Sequence, residues 1–324
     1  MSAYHQDYHD LLRRDDVDAV LVSLPIPLNL PVARKVLAAG KHLICEKPPG
    51  ADLAEGRAFV ELAAAHPDRV ILVAENWFYR DDLRLARSLL DEGRLGRVHL
   101  ATWRVVSQLV PKPGEFSSTP WRHIPGYRGG PHLDAGVHHA AQLRLLLGDA
   151  DRVSAETQDA NTTHGGPSDL AMTLRFVNGA IASFSATYPE LSLPPEPNTL
   201  RLYGTDAVMT VVRDTIVLSH PDGTEETWRV EGNDGGYFNE WRNFADAIQH
   251  GVPVVGTAAQ SVRGMELMLT ALEAAAQGRT LPIDPNWPAP LAAEAVPLWR
   301  PYPDSAQHLF TTLPTTIRHE TSRP

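Results

Sequence analysis

VDAVLVSLP (residues 17–25), KHLICEKP (41–48) and RVILVAEN (69–76) are three strand-like runs spaced along the first quarter of the chain. Within the first, AVLVSL (19–24) reads as an apolar run instead of alternating, the pattern of a parallel strand buried on both faces. Helical segments fill the gaps. PVARKVLAAGK (31–41) has Pro31 at a plausible first helical position and Gly40 just past its end, and DLAEGRAFVELAAAH (52–66) opens with Asp52 and Glu55 in capping-box spacing. Strand and helix alternate, which defines a βαβαβ unit.

Beyond residue 76 the rhythm changes to that of an antiparallel sheet. DLAMTLRFVNGAIASFSATY (169–188) places Leu170, Met172, Leu174 and Phe176 on one face before the hairpin signal Asn178-Gly179, then resumes with Ala180, Ala182 and Phe184. TIVLSHPDGTEETWRV (215–230) repeats the design around Pro221, Asp222 and Gly223. Flanking helices are expected at DDLRLARSLLDEG (81–93) and SVRGMELMLTALEAAAQG (261–278), both apolar at three- and four-residue spacing. From Pro282 the chain is proline-rich and carries Trp287, Trp299 and Tyr302, which suggests an extended arm. The expected organisation is an α/β unit over 1–76, a larger α+β unit over 77–283 with its sheet covered by helices, and an arm over 284–324.

Composition bounds the function. The 324 residues hold 43% apolar and 21% charged side chains, an ordinary globular balance with nothing to span a bilayer. The net charge of −10 is spread without blocks, which argues against a nucleic-acid surface and for small-molecule partners. Cys45 is the single cysteine, so no internal disulfide is possible, and the start lacks a secretory pattern. The expected setting is cytoplasmic.

DAVLVSLP (18–25), AGKHLICEKP (39–48), GGPHLDAGVHH (129–139) and FNEWRNFADAIQHGVP (238–253) fall in an order that resembles the Gfo/Idh/MocA family from about residue 3 to residue 283. That resemblance implies a Rossmann-like parallel sheet, NAD or NADP as cofactor, and a sugar, cyclitol or similar alcohol or ketone as substrate. Family members begin with a strand, a G-x-G-x-x-G turn and a helix. AYHQDYHDLL (3–12) resembles the helix that follows those elements, and no G-x-G occurs anywhere in the chain. The expectation is a Rossmann sheet lacking its amino-terminal half, from an incomplete reading of the gene, a covering partner or a rebuilt fold. Strand 19–24 would then be an open edge, and a dimer or tetramer is expected to cover it.

The resemblance also implies roles. Pro25, Glu46, Lys47 and Asn76 lie where the strand ends would meet the cofactor. Lys47, Asp134 and His138 are the candidate catalytic residues, and Arg80, Trp121, Arg122 and His139 the candidate substrate contacts. Chemistry alone leaves other readings open: Glu46 and Lys47 as a surface pair, Asp134 as a helix-starting residue with His138 packed behind it. If GGPHLDAGVHH is helical, Asp134 and His138 share a face, which suits a carboxylate that orients an imidazole for proton transfer. Ala141 stands where the family often has an acidic residue. Leu24, Ile26 and Asn29 are expected beside the cofactor, a less polar lining than the family's. His132 and His139 do not by spacing define a metal centre.

Three classes follow: an NAD(P)-dependent oxidoreductase, a cofactor-free lyase, isomerase or cyclase using the same residues, and a non-catalytic relative. Without a glycine turn at a helix N-terminus to receive the pyrophosphate, this chain alone should bind NAD(P)H weakly. Calorimetric titration should show little saturable heat; tight, stoichiometric binding would refute the expectation.

Overall fold

In this computed structural model, residues 4–190, 197–287 and 316–322 are described. Trp299 and Tyr302 fall outside them. The chain runs through α1 (Tyr8–Leu12), β1 (Ala19–Val22), α2 (Asn29–Ala38), β2 (His42–Glu46), α3 (Leu53–Ala64) and β3 (Ile71–Ala74). The three strands pair in parallel in the order β1-β2-β3.

The helix signals act as read, with one displacement. Asp52 caps α3 by accepting the Glu55 N–H at 2.8 Å, while the Glu55 carboxylate reaches back to the Ala51 N–H at 2.8 Å. Gly40 adopts φ +73 just beyond α2. That helix begins at Asn29, two residues before Pro31, as the continuation of a 3₁₀ turn over Ile26–Leu28. Proline costs nothing there, because amides of the first turn have no intrahelical acceptor. One expectation fails: β1 is not buried on both faces. It stands at the sheet edge, as expected for strand 19–24, but Leu21 is 45% exposed because no described element covers that side.

The rest of the chain adds α4 (Asp81–Asp91), β4 (Leu100–Val106), α5 (Pro120–His123), α6 (Pro131–Asp134), α7 (Gly136–Leu147), β5 (Ala150–Gln158), β6 (Asp169–Phe176) and β7 (Ile181–Thr187). These are followed by β8 (Thr199–Tyr203), β9 (Val208–Val212), β10 (Thr215–Ser219), β11 (Glu225–Glu231), α8 (Tyr237–His250), α9 (Ala258–Gln277), β12 (Leu281–Pro282) and β13 (Thr316–Ser322). Ten strands form a second sheet in the order β12-β5-β6-β7-β4-β8-β9-β10-β11-β13, antiparallel everywhere except β4–β7. Its inward residues Leu170, Met172, Leu174, Phe176, Ala182 and Phe184 share a core with Leu83 of α4, Leu143 of α7 and Met268 of α9. Part of the expected arm is thus an edge strand: β13 pairs with β11, its His319 stacked on Trp228 at 4.6 Å. Among the described residues no helix is long and apolar enough to cross a membrane.

Tyr79 joins the two sheets' neighbourhoods. Its buried hydroxyl donates to Asn243 Oδ1 of α8 at 2.8 Å and accepts the Gly256 N–H at 2.8 Å. The Gly256 carbonyl in turn accepts the Val73 N–H of β3 at 2.7 Å, and Asn243 also holds Pro253 and Val255. Removing the hydroxyl leaves buried polar atoms without their partner, at a cost of about 1–3 kcal/mol. Tyr79→Phe should lower the stability read by urea unfolding by that amount, and a loss under about 0.5 kcal/mol would show the network to be dispensable.

Candidate active site

Lys47 enters the site from the end of β2, where the backbone is pinned from behind. The fully buried Asn29 donates its Nδ2 to the carbonyls of Glu46, at 3.1 Å, and Pro48, at 2.9 Å. Asn29 was expected beside the cofactor; it lies inside instead, since two strand-end carbonyls removed from water need a donor. Ile26 is likewise buried, whereas Leu24 is exposed. The peptide between Lys47 and Pro48 is cis.

Asp134 arrives by a different route. Gly129 and Gly130 adopt φ +100 and +49, and a Cβ at Gly130 would meet the Gly165 carbonyl oxygen at 2.5 Å, so the turn accepts only glycine. The turn delivers α6, whose last residue is Asp134. Lys47 Nζ donates to the Asp134 carbonyl and lies 3.2 Å from its Oδ1, while Arg122 Nε of α5 donates to Oδ2 at 2.7 Å. Arg122 is held by Thr119 Oγ1 at 2.8 Å and lies over the Trp121 ring at 4.0 Å. Burial works to raise the Asp134 carboxyl, but the ammonium and guanidinium beside it prevail and keep it below the usual carboxylate range.

His138 does not share a helix face with Asp134. The helix breaks at Ala135, α7 starts afresh at Gly136, and His138 Nδ1 meets Glu75 Oε1 at 2.5 Å. Trp77 stacks on the imidazole with centroids 5.3 Å apart, and its backbone N–H donates to Glu75 Oε1 at 3.2 Å. The carboxylate that His138 meets is therefore Glu75, just past the end of β3, a residue absent from the expectations above. A signal for it existed: RVILVAEN ends in an acid at the carboxyl edge of a parallel strand, as KHLICEKP does.

A second buried carboxyl stands behind it. Glu240 of α8 is pushed up to about 9 by burial and by the nearby charges of Glu75 and Glu46, and its Oε1 has no hydrogen-bond partner. Glu46 is raised by burial too, against the pull of Lys47 and His138.

The remaining expected residues are partly engaged elsewhere. Asn76 donates to the Gly235 carbonyl at 2.8 Å, and Pro25 caps the 3₁₀ turn after β1. Arg80 grips the buried Asp82 at 2.7 Å and lies over Trp77. Trp121 is half-buried against Tyr127. His139 is no substrate contact: it is buried among Trp77, Trp103 and Phe184, and desolvation pushes it down to about 3, a neutral core histidine. Among the described residues no group of three or more His, Cys, Asp or Glu side chains is arranged to hold a metal ion.

A parallel βαβαβ sheet joined to a broad antiparallel sheet, with Lys, Asp and His at their junction, defines a Rossmann-type oxidoreductase architecture. Residues 2–74 match the family model of oxidoreductases with an NAD-binding Rossmann fold, and residues 83–210 match the GFO/IDH/MocA C-terminal domain. The chain belongs to the Gfo/Idh/MocA family of NAD(P)-dependent oxidoreductases. It is 30% identical over 232 residues to the dTDP-3,4-didehydro-2,6-dideoxy-alpha-D-glucose 3-reductase of Streptomyces violaceoruber, covering 68% of this chain and 64% of that protein. It is 27% identical to the 1,5-anhydro-D-fructose reductase of Ensifer adhaerens, over 85% of this chain and 82% of that one. The crystal structure of an oxidoreductase from Thermotoga maritima superposes with a TM-score of 0.77 at 28% identity, covering 86% of this chain and 82% of that one.

The carboxyl ends of β2 and β3 bring Lys47 into contact with Asp134 and Glu75 into contact with His138. No described residue supplies a glycine turn for the pyrophosphate of a dinucleotide.

Glu240 also predicts a pH dependence. A carboxyl raised to about 9 in the folded chain, from about 4.3 unfolded, adds stability that is complete below the lower value and is lost as pH climbs toward the higher. Between the two values the loss approaches about 1.4 kcal/mol per pH unit. Thermal unfolding of Glu240→Gln should match the native chain near pH 4 and exceed it increasingly by pH 8; parallel curves would mean that Glu240 is charged.

Proposed function

We propose that this protein oxidises or reduces a sugar-like alcohol or ketone with NAD(P), and that Lys47, Asp134 and His138 carry the proton chemistry. One observation carries the reading: a carboxylate largely withdrawn from solvent is clamped by two cations, and four residues further on stands an imidazole whose Nδ1 is taken by a second carboxylate. When bound, the nicotinamide supplies the hydride acceptor or donor.

The chain's own residues handle orientation and the proton. Lys47 and Arg122 present N–H donors, and Asp134 an acceptor, to the vicinal hydroxyls of a polyol; charge-assisted bonds of this kind give both orientation and selectivity. His138 Nε2 has no described partner and is the atom left to take the hydroxyl proton as the carbinol carbon gives up its hydride, or to return it in reduction. Lys47 is better suited to donating than to abstracting, because its ammonium is already held by two oxygens of Asp134. The names of the relatives support a sugar-type substrate, since the two reductases above act by their names on a deoxyhexose nucleotide and an anhydrohexose.

A panel of aldoses, deoxysugars, anhydrosugars and cyclitols assayed with a large excess of NAD(P)(H) should reveal turnover. His138→Asn should then lower kcat by about 10²- to 10⁴-fold, the range for a lost acid–base group. Lys47→Ala should lower kcat/KM. Retention of full kcat by His138→Asn would overturn the assignment.

A further inference from the structure

We infer that Glu75 is the positioning residue for His138: it accepts the Nδ1 proton, so that Nε2 remains the free base, and it supplies the counter-charge when the ring becomes cationic. The inference rests on the reading of His138 as the proton-transfer group. Three observations carry it. Glu75 Oε1 lies 2.5 Å from His138 Nδ1, although the two residues are 63 apart in sequence and belong to different elements. Glu75 is 98% removed from solvent, and a buried carboxylate is kept only where it is paired or hydrogen-bonded. The same oxygen accepts the Trp77 backbone N–H while the Trp77 ring stacks on the imidazole, so one short turn holds both the carboxylate and the plane of His138.

A carboxylate can only accept, which obliges the facing imidazole nitrogen to carry hydrogen. In a neutral histidine that places the lone pair on Nε2, the nitrogen required for taking a substrate proton. Glu240 fits this scheme: its carboxyl is pushed up to about 9 by burial and by the charges of Glu75 and Glu46, so near neutral pH it adds no further like charge beside Glu75. Ala141, where an acid might have supported His138 from its own helix, packs instead in the apolar cluster of Ile44, Leu72 and Phe244. Support comes from β3 rather than α7.

The test reads the tautomer directly and needs neither cofactor nor substrate. The full chain with ¹⁵N-labelled histidine is compared by long-range ¹H–¹⁵N correlation with Glu75→Ala, and His138→Asn identifies the signals of His138. Native His138 should be in the Nδ1–H form, and Glu75→Ala should move it toward Nε2–H. Glu75→Gln, which keeps the volume and removes the charge, should lower kcat by at least about tenfold, less than His138→Asn does, and leave KM within about twofold. An Nε2–H form in the native chain, a tautomer unchanged in Glu75→Ala, or a kcat retained within twofold by Glu75→Gln would each overturn the inference. Because the tautomer is measured without turnover, its failure is distinct from failure of His138 as the base, which His138→Asn reports alone.

Discussion

Asp134 holds the site together. Its two carboxylate oxygens and its carbonyl are taken up by Lys47, which follows β2, and Arg122, which lies in α5. These residues come from both sides of the junction between the parallel and antiparallel sheets. A carboxylate this buried is unfavourable unless compensated, and removing one partner of such a pair typically costs about 3–5 kcal/mol because the other charge is left stranded. The triad thus fixes where the two sheets meet as well as which polar groups face the cleft. The glycine turn at 129–130 and the Asn29 pin behind Lys47 serve that geometry, one by permitting a left-handed backbone and the other by satisfying carbonyls that strand pairing leaves unmet.

Much of the fold was legible because it depends on local rules. Apolar runs at 17–25, 41–48 and 69–76 mark parallel strands by composition alone, and the alternation at 169–188 with Asn178-Gly179 marks a hairpin. The capping pair Asp52 and Glu55 declares the start of α3. Buried character was overestimated for β1, since composition states what a strand tolerates and not whether a neighbour covers it.

The site was legible in part, for a related reason. Residue type and strand-end position point to Lys47, Asp134 and His138, but pairing among them depends on tertiary approach. The spacing of Asp134 and His138 suggests one helix face, yet the break at Ala135 sends the carboxylate to Lys47 and the imidazole to Glu75. His139 illustrates a second limit. One residue further along α7 turns the side chain by about 100°, away from His138 and into the aromatic core. Asn29 illustrates a third: polarity near a strand end reads as exposure, whereas here an amide is buried because carbonyls need it.

The charges around the cleft divide into two groups of opposite character. At Asp134 two cations surround one carboxylate, an arrangement that stays ionised and offers fixed donors and acceptors to hydroxyls. Around His138 the imbalance is reversed: Glu46, Glu75 and Glu240 share a buried region with one imidazole, and the repulsion is relieved by leaving Glu240 protonated. The first group is a fixed set of donors and acceptors, each carboxylate oxygen facing a cation. In the second, Glu75 meets the Nδ1 side of the ring while Trp77 stacks on one of its faces. The two clusters are thus built on separate carboxylates, Asp134 for the two cations and Glu75 for the imidazole, so neither has to share its counter-charge with the other.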